Sequence, residues 1–348
     1  MSVTPTMREQ LHASLIKLRD KYRAGVKRSR YKAELEEYNA RLGLHADIRD
    51  FERARKQTAC DVEEYFGFAF YKKSDAERDA YLTRVRRSVL MQKIGDVDEG
   101  ITVPGNKVLF NMYFQEFLRR AWINPTAATA EEFVAFVRRL GTVIIKPSDL
   151  RCGIGIHKLR YKDDKSILAL YQQLYGEGYV VEEVLRQHPD LDALNPEVLS
   201  TLRVATYTDA DDVHILATAL RTASTTKDGL CVDNMKAGGL GCPVEMETGR
   251  IWAPAFNVRL ERFDTHPVTS TSFVGFQLPM WQETLSMVRA AARKAYLLPR
   301  CRYLGWDIAL TPDGPAIIEA NWQQGCDIIE YGDQRGIYHE LKRLCQKR

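Results

Sequence analysis

Two apolar runs on either side of Pro312-Asp313-Gly314 constrain this chain more than any other feature. They read Gly305-Trp-Asp307-Ile-Ala-Leu-Thr311 and Pro315-Ala-Ile-Ile-Glu319-Ala-Asn321. A Pro-Asp-Gly tripeptide between apolar runs is a turn signal, so residues 303–311 and 315–320 are predicted to pair as a β-hairpin. With a loop of residues 312–314, Thr311 opposes Pro315 and Asp307 opposes Glu319, while Asn321 follows on the same face. Three oxygen donors on one face of an otherwise apolar sheet suit Mg²⁺, which prefers carboxylates, amide oxygens and phosphates. The same pattern also describes the solvent face of an ordinary hairpin, and the hairpin alone leaves both readings open.

Around that hairpin the chain has the balance of a folded globular protein. It has 348 residues, 45% hydrophobic and 28% charged, enough for two or three domains and too many for one small module. No apolar stretch approaches the ~18 residues of a membrane span, and the first residues lack the basic-then-apolar pattern of an export signal, so a cytoplasmic protein is expected. The seven cysteines (Cys60, Cys152, Cys231, Cys242, Cys301, Cys326, Cys345) are odd in number and never spaced C-x-x-C. That argues against a disulfide framework or zinc site and for small buried hydrophobes. No Cys/His pairing recommends Cys152 or Cys326 as a nucleophile. A net charge of +4 does not call for a nucleic-acid partner.

Basic character is concentrated in residues 1–60, with 14 Lys and Arg against 8 Asp and Glu. Leu11, Leu15, Leu18 and Tyr22 form one stripe of an amphipathic helix, and Lys17, Arg19, Lys21, Arg23, Lys27, Arg28, Arg30 and Lys32 crowd the rest. That face is either simply solvated or drawn to an anionic surface. The helical pattern continues to residue 93, with Ser74 and Asp75 as caps before a helix over 76–91. Residues 96–106 read as a loop and 107–121 as a helix. Beyond Pro125 strands alternate with helices: strands at 142–146, 179–183, 201–208 and 214–222, and helices at 164–175 and 281–297. The expected class is α+β, and the organisation a helical region over 1–95 followed by bodies at 96–185 and 186–348.

Two further stretches carry chemistry. In Val143-Ile-Ile-Lys146-Pro-Ser-Asp-Leu-Arg-Cys-Gly153-Ile-Gly155, a strand-end lysine precedes a glycine loop, which can place an ammonium and backbone N–H groups around polyphosphate oxygens. A lysine in that position is expected to contribute little to a core. Tyr179-Val-Val-Glu182-Glu183-Val184-Leu185 is an extended run whose backbone can meet a purine edge, or a buried strand leaving its sheet.

In this order the pieces resemble the ATP-grasp superfamily, and most closely its sugar-transfer associated branch, over about residues 100–335. The resemblance implies two α+β subdomains clasping ATP and Mg²⁺. Lys107 looks like the first nucleotide lysine and Lys146 the second, before a glycine loop over 148–156 that includes Gly153 and Gly155. Glu182, Glu183, Val184 and Leu185 are similar to the adenine hinge, with Gln187 or His188 as ribose contacts. Leu199-Ser-Thr-Leu-Arg203-Val resembles the family's Thr-Leu-Arg-Val strand, and Asp233-Asn234-Met-Lys236-Ala-Gly-Gly239 its Asn-x-x-x-Gly-Gly loop. Asp307, Glu319 and Asn321 match the metal set, and Thr265-His266-Pro267 recurs near the substrate region.

The activity so implied is ADP-forming joining of a carboxylate to an amine through an acyl phosphate. Arg203, Asn234, Lys236 and His266 are the catalytic candidates; Arg203 would stabilise the phosphoryl charge, while His266 is a substrate contact or merely a loop histidine. The family's association with polysaccharide assembly points to a sugar acid or other small carboxylate. A Rossmann-like domain that usually opens such enzymes is replaced here by helices, so substrate identity does not carry over. An ATP-grasp kinase acting on a hydroxyl and a non-catalytic nucleotide-binding regulator are the competing readings.

Overall fold

The computed structural model describes residues 7–96, 103–150, 154–225, 235, 238–322, 324–325 and 327–346, with side chains from residue 25 onward except that of Asp327. It divides into two compact units, Met1–Asp79 and Ala80–Arg348. In the first, α1 (Met7–Leu42) is followed by α2 (Ile48–Thr58), α3 (Val62–Gly67) and α4 (Asp75–Arg78). The short helices start where the sequence supplies acceptors. Asp47 accepts from the Arg49 N–H, and Asp61/Glu64 and Ser74/Glu77 are reciprocal capping boxes. Tyr31, Phe51, Tyr65, Phe66, Phe68 and Phe70 are buried inside. The Arg78 guanidinium donates to Asp50 at 2.7 Å and to the Phe70 carbonyl at 2.6 Å.

The predicted stripe of Leu11, Leu15, Leu18 and Tyr22, with Lys17, Arg19, Lys21 and Arg23, falls in α1 outside the described side chains. Farther along, Arg28 meets Glu52 at 2.6 Å, Arg30 meets Glu34 at 3.2 Å and Lys32 meets Glu36 at 3.7 Å. These are exposed pairs that add little stability.

The second unit opens with α5 (Arg84–Lys93), started by Thr83 accepting from the Arg86 N–H. The helix predicted over 76–91 is therefore two helices, because Ser74 and Thr83 each supply a start. α6 (Lys107–Tyr113) is also shorter than the predicted 107–121. A 3₁₀ turn follows at Gln115–Phe117, Arg119 takes a left-handed backbone with φ 45°, and Trp122–Ile123 becomes strand β1. A left-handed residue cannot sit inside a right-handed helix.

β1, β2 (Thr142–Pro147), β3 (His157–Arg160) and β4 (Tyr179–Glu183) form an antiparallel sheet in the order β1-β4-β2-β3. Helices α7 (Ala130–Leu140) and α8 (Asp164–Leu174) cover it, setting Phe133, Val137, Ile167 and Leu174 against Val143, Ile145 and Val181.

After the short α9 (Pro189–Asp192) comes a seven-stranded sheet. Its strands are β5 (Thr201–Thr208), β6 (Val213–Ala223), β7 (Gly239–Pro243), β8 (Ala255–Phe256), β9 (Arg262–Phe263), β10 (Tyr303–Thr311) and β11 (Gly314–Trp322). They lie in the order β11-β10-β5-β6-β7-β8-β9. α10 (Trp281–Ala295) precedes β10, and α11 (Asp327–Asp333) and α12 (Tyr338–Leu344) close the chain. Strand alternation decides what each face meets. Leu304, Trp306, Ile308 and Leu310 of β10 pack on the side of Val288, Ala291 and Ala295 from α10. On the opposite side Ala205, Tyr207 and Tyr303 pack with Leu90, Met91, Leu341 and Leu344 from α5 and α12. That second face also carries Arg203 and Asp307.

The β10–β11 hairpin opposes Asp307 to Glu319 as predicted, but by another route. Its loop is two residues, with Thr311 opposite Gly314 and Leu310 opposite Pro315, and a bulge at Ile318 restores the pairing before Glu319. One residue fewer in the turn and one extra in the strand cancel. Among the described residues no helix is long and apolar enough to cross a membrane.

Candidate active site

The polar cluster on the second sheet is built by cross-strand register. Asp307 on β10 opposes Arg203 on β5 and Glu319 on β11, and Arg221 on β6 opposes Thr201 two residues before Arg203. Arg203 grips the Asp307 carboxylate with two N–H groups, Nε at 2.5 Å and Nη2 at 3.0 Å, and Arg221 Nη2 lies 3.0 Å from the same carboxylate. Burial alone would push Asp307 up; the Arg203 and Arg221 guanidiniums outweigh it and hold the group well below the usual carboxylate range. Glu319 moves the other way. Burial and then the Asp307 charge raise it, and Lys107, Lys146 and Arg203 offset only part.

Asn321 Nδ2 donates to Asp307 Oδ2 at 3.2 Å and to Glu319 Oε1 at 3.3 Å, so the amide stands between the buried Asp307 carboxylate and the half-buried Glu319. Carboxylates forced together, one driven toward its protonated form, are a pair that a divalent cation relieves, and the asparagine adds a third oxygen donor. The donor set fits Mg²⁺. Among the described residues no group of three or more His, Cys, Asp or Glu side chains is gathered for a metal.

The lysines come from the other sheet and from α6. Lys107, Phe110, Leu150, Glu319, Asn321 and Trp322 line one recess, which brings Lys107 to Glu319. Lys107 Nζ donates to the Pro147 and Leu150 carbonyls at 3.0 and 2.5 Å, and burial is the main cause of its lowered pKa. Lys146 Nζ donates to Glu182 Oε2 at 2.6 Å. Glu182 is 2% exposed and also takes Asn111 Nδ2 at 2.7 Å and the Arg120 guanidinium at 3.0 Å. Burial would raise this carboxyl, yet Arg120 and Lys146 carry it far below its ordinary value.

Lys146 is thus more than a loose strand-end cation, contrary to the sequence expectation. Lys146→Met is expected to weaken nucleotide binding and also to destabilise the fold by about 1–3 kcal/mol, because one of two cations on a buried carboxylate is lost. Calorimetry of ATP binding together with urea unfolding measures both; an unchanged unfolding midpoint contradicts the structural half.

The remaining predicted residues are placed as follows. Gly155 has φ 72°, and a Cβ there would lie 2.8 Å from Pro147 Cγ, so the loop turns tightly against β2. Glu183 exchanges contacts with Ala121, its Oε2 accepting at 3.0 Å and its N–H donating at 2.9 Å, while Val184 and Leu185 emerge half-buried from β4. Gln187 donates to Asp192 and Asn195 and accepts from the Ser200 N–H, and His188 caps α9 through Nδ1. His266 is buried, its pKa lowered by burial, with Nε2 donating to the Ala223 carbonyl at 2.8 Å; this ties its loop to the end of β6. Gly153, Asn234 and Lys236 lie outside the described residues.

Sequence reasoning missed Glu182's side-chain partners Arg120 and Asn111 and held Arg221 only in reserve, to take the role of Arg203 should that residue fail. Nothing local marks Arg120, whose partner is 62 positions away.

Two antiparallel-sheet bodies, the first carrying a lysine and glycine loop and the second an arginine–carboxylate strand pair, define the ATP-grasp fold. The chain belongs to the sugar-transfer associated ATP-grasp family, whose family model matches residues 91–346. It is similar to the solved D-alanyl-alanine synthetase A from Vibrio cholerae at 12% identity and TM-score 0.41, over 70% of this chain and 64% of that one. The ATP-grasp ligase PsnB complexed with minimal precursor is similar at 14% identity and TM-score 0.42, over 70% of this chain and 60% of that one. D-alanine–D-alanine ligase from Bacillus anthracis is similar at 12% identity and TM-score 0.40, over 70% and 69%. The chain spans just under two thirds of the length of the first two. No curated protein matches it.

Proposed function

We propose that the protein is an ATP-dependent, ADP-forming carboxylate–amine ligase that joins an amino acid or amine to a sugar acid or other small carboxylate in polysaccharide or secondary metabolism. One observation carries this reading: Lys107 lines a recess with Glu319 and Asn321, beside an Asp307 gripped by Arg203 and Arg221. A partly buried cluster of lysines and arginines beside carboxylates is suited to receive a polyphosphate.

Lys107 and Lys146 hold the phosphates, the glycine loop over 148–156 supplies backbone N–H groups to them, and the strand end at Glu183, Val184 and Leu185 meets the adenine. Asp307, Glu319 and Asn321 hold Mg²⁺, which supplies charge neutralisation when bound. A substrate carboxylate oxygen attacks the γ-phosphorus and ADP leaves; the amine nitrogen then attacks the acyl carbon, phosphate leaves and the nitrogen loses its proton. Arg203 stabilises the charge that develops in the first transfer, and Asn234, Lys236 and Arg221 are further candidates. The protein needs no covalent nucleophile. In this reading residues 96–185 and 186–348 are the two clasping subdomains, 1–95 is a helical region whose last 16 residues belong to the second unit, and the enzyme works in the cytoplasm.

The test uses the acyl phosphate. With ATP, Mg²⁺ and a turnover-competent carboxylate but no amine, hydroxylamine should trap a hydroxamate, and adding the amine should release ADP and phosphate in equal amounts. ADP with a stable phosphorylated product, and no hydroxamate, makes it a kinase. ATP binding without turnover across sugar acids and amino acids makes it a regulator.

A further inference from the structure

Arg119 and Arg120 are neighbours in sequence, and both reach the same strand. In an extended chain successive side chains point apart; the left-handed backbone at Arg119, φ 45°, turns both guanidiniums toward β11. Arg119 donates to the Asp313 and Pro315 carbonyls at 2.6 and 3.1 Å, at the hairpin turn. Arg120 donates to the Ile317 and Ile318 carbonyls at 2.7 and 3.1 Å, on the bulge that sets Glu319. β11 is the edge of its sheet, and its outward carbonyls are taken by these two side chains. A non-glycine residue held at positive φ on a segment with such contacts marks a position kept for its geometry.

The same guanidinium also reaches the first sheet, its Nη2 donating both to Ile318 and to Glu182. Arg120 meets both oxygens of Glu182 at 3.0 Å, and Glu182 holds Lys146 at 2.6 Å. The chain itself continues from Arg120 through Ala121, which pairs with Glu183, into β1. Arg120, 8% exposed, thereby connects Lys146 on one sheet with the bulge before Glu319 on the other. A buried arginine with its donors on both sheets fixes a distance that neither sheet sets alone.

We propose that Arg119 and Arg120 form a positioning strap that sets the spacing between the phosphate-binding lysine and the metal-holding strand. The inference rests on the ATP–Mg²⁺ reading of the site. A strap of this kind matters for a ligand that reaches both sheets at once, and little for one that stays on the first.

Calorimetry on the full chain tests it, with AMP, with ATP in EDTA and with ATP plus Mg²⁺, on wild type, Arg120→Lys and Arg119→Ala. Arg120→Lys keeps a charge beside Glu182 but cannot reach both sheets. It should bind AMP within about twofold of wild type while the tightening that Mg²⁺ gives to ATP falls by about tenfold or more. Arg119→Ala, at a half-exposed position, should stay folded and lose a few-fold of the same tightening. Undiminished Mg²⁺ tightening in Arg119→Ala or in folded Arg120→Lys overturns the strap. So does an equal loss of AMP and ATP binding in step with a lower melting temperature, which is what a merely structural arginine would give. Wild type that binds none of the three ligands removes the nucleotide reading itself, and the strap with it.

Discussion

Glu319→Gln is expected to leave the protein more stable at neutral pH and about a thousandfold slower in acceptor-dependent ADP release, whereas Asp307→Asn makes it both slower and less stable. The rate loss is of the order seen when one group that stabilises a developing charge is removed. The opposite stability effects follow from opposite perturbations. Glu319 is raised by burial and the Asp307 charge. Below the ordinary carboxylate pKa it is protonated in both states; above it the unfolded state loses its proton while the folded state resists, so a penalty builds until pH passes the raised value, and glutamine removes it. The gain should therefore be present at pH 8 and vanish near pH 4. Asp307 is depressed by Arg203 and Arg221 against its burial, so its contribution is present above the unfolded carboxylate pKa and fades only as pH falls through its lowered one. Asparagine leaves two buried guanidiniums short of a partner, at about 3–5 kcal/mol. Thermal melts across pH with ADP release check both halves. Normal turnover in Glu319→Gln takes the hairpin out of the active site.

Arg203→Lys should lower turnover by about 30- to 1000-fold, equivalent to about 2–4 kcal/mol of transition-state stabilisation, with a much smaller change in ATP affinity. The guanidinium makes two N–H contacts with one carboxylate at 2.5 and 3.0 Å, a fork that an ammonium cannot copy. Lysine retains the charge, so ground-state attraction for ATP survives and the oriented contact is lost. Single-turnover rates beside ATP affinity separate the two. Should turnover stay normal while hydroxamate still forms, Arg221, on the same Asp307 carboxylate at 3.0 Å, takes the role instead.

Strand periodicity makes much of the second sheet legible. Alternation puts Glu319 and Asn321 on one face of β11, and Asp307 joins them because the shorter turn and the bulge cancel. Local rules fail where distant contacts decide. The helix expected to run to residue 121 stops at Tyr113 because residues 119–123 are claimed by strands far away in sequence. Lys146 reads as an exposed strand end because Glu182 and Arg120, which bury it, are 36 and 26 positions away. The backbone contacts that Gln187, His188 and His266 make are likewise not legible in the sequence.

The hairpin bulge has a consequence for how the site forms during folding. A two-residue turn with a bulge and a three-residue turn without one both bring Asp307 opposite Glu319; they differ in whether Ile317 or Ile318 faces Ile308, and whether Pro315 or Ala316 faces Leu310. Because the two isoleucines are identical and the other pair are both small and apolar, an early slip between these pairings changes the core little and leaves the carboxylates matched. The chemistry is thereby insulated from a register error in its own strand, and the arginine contacts to the Ile317 and Ile318 carbonyls have only to choose the final form.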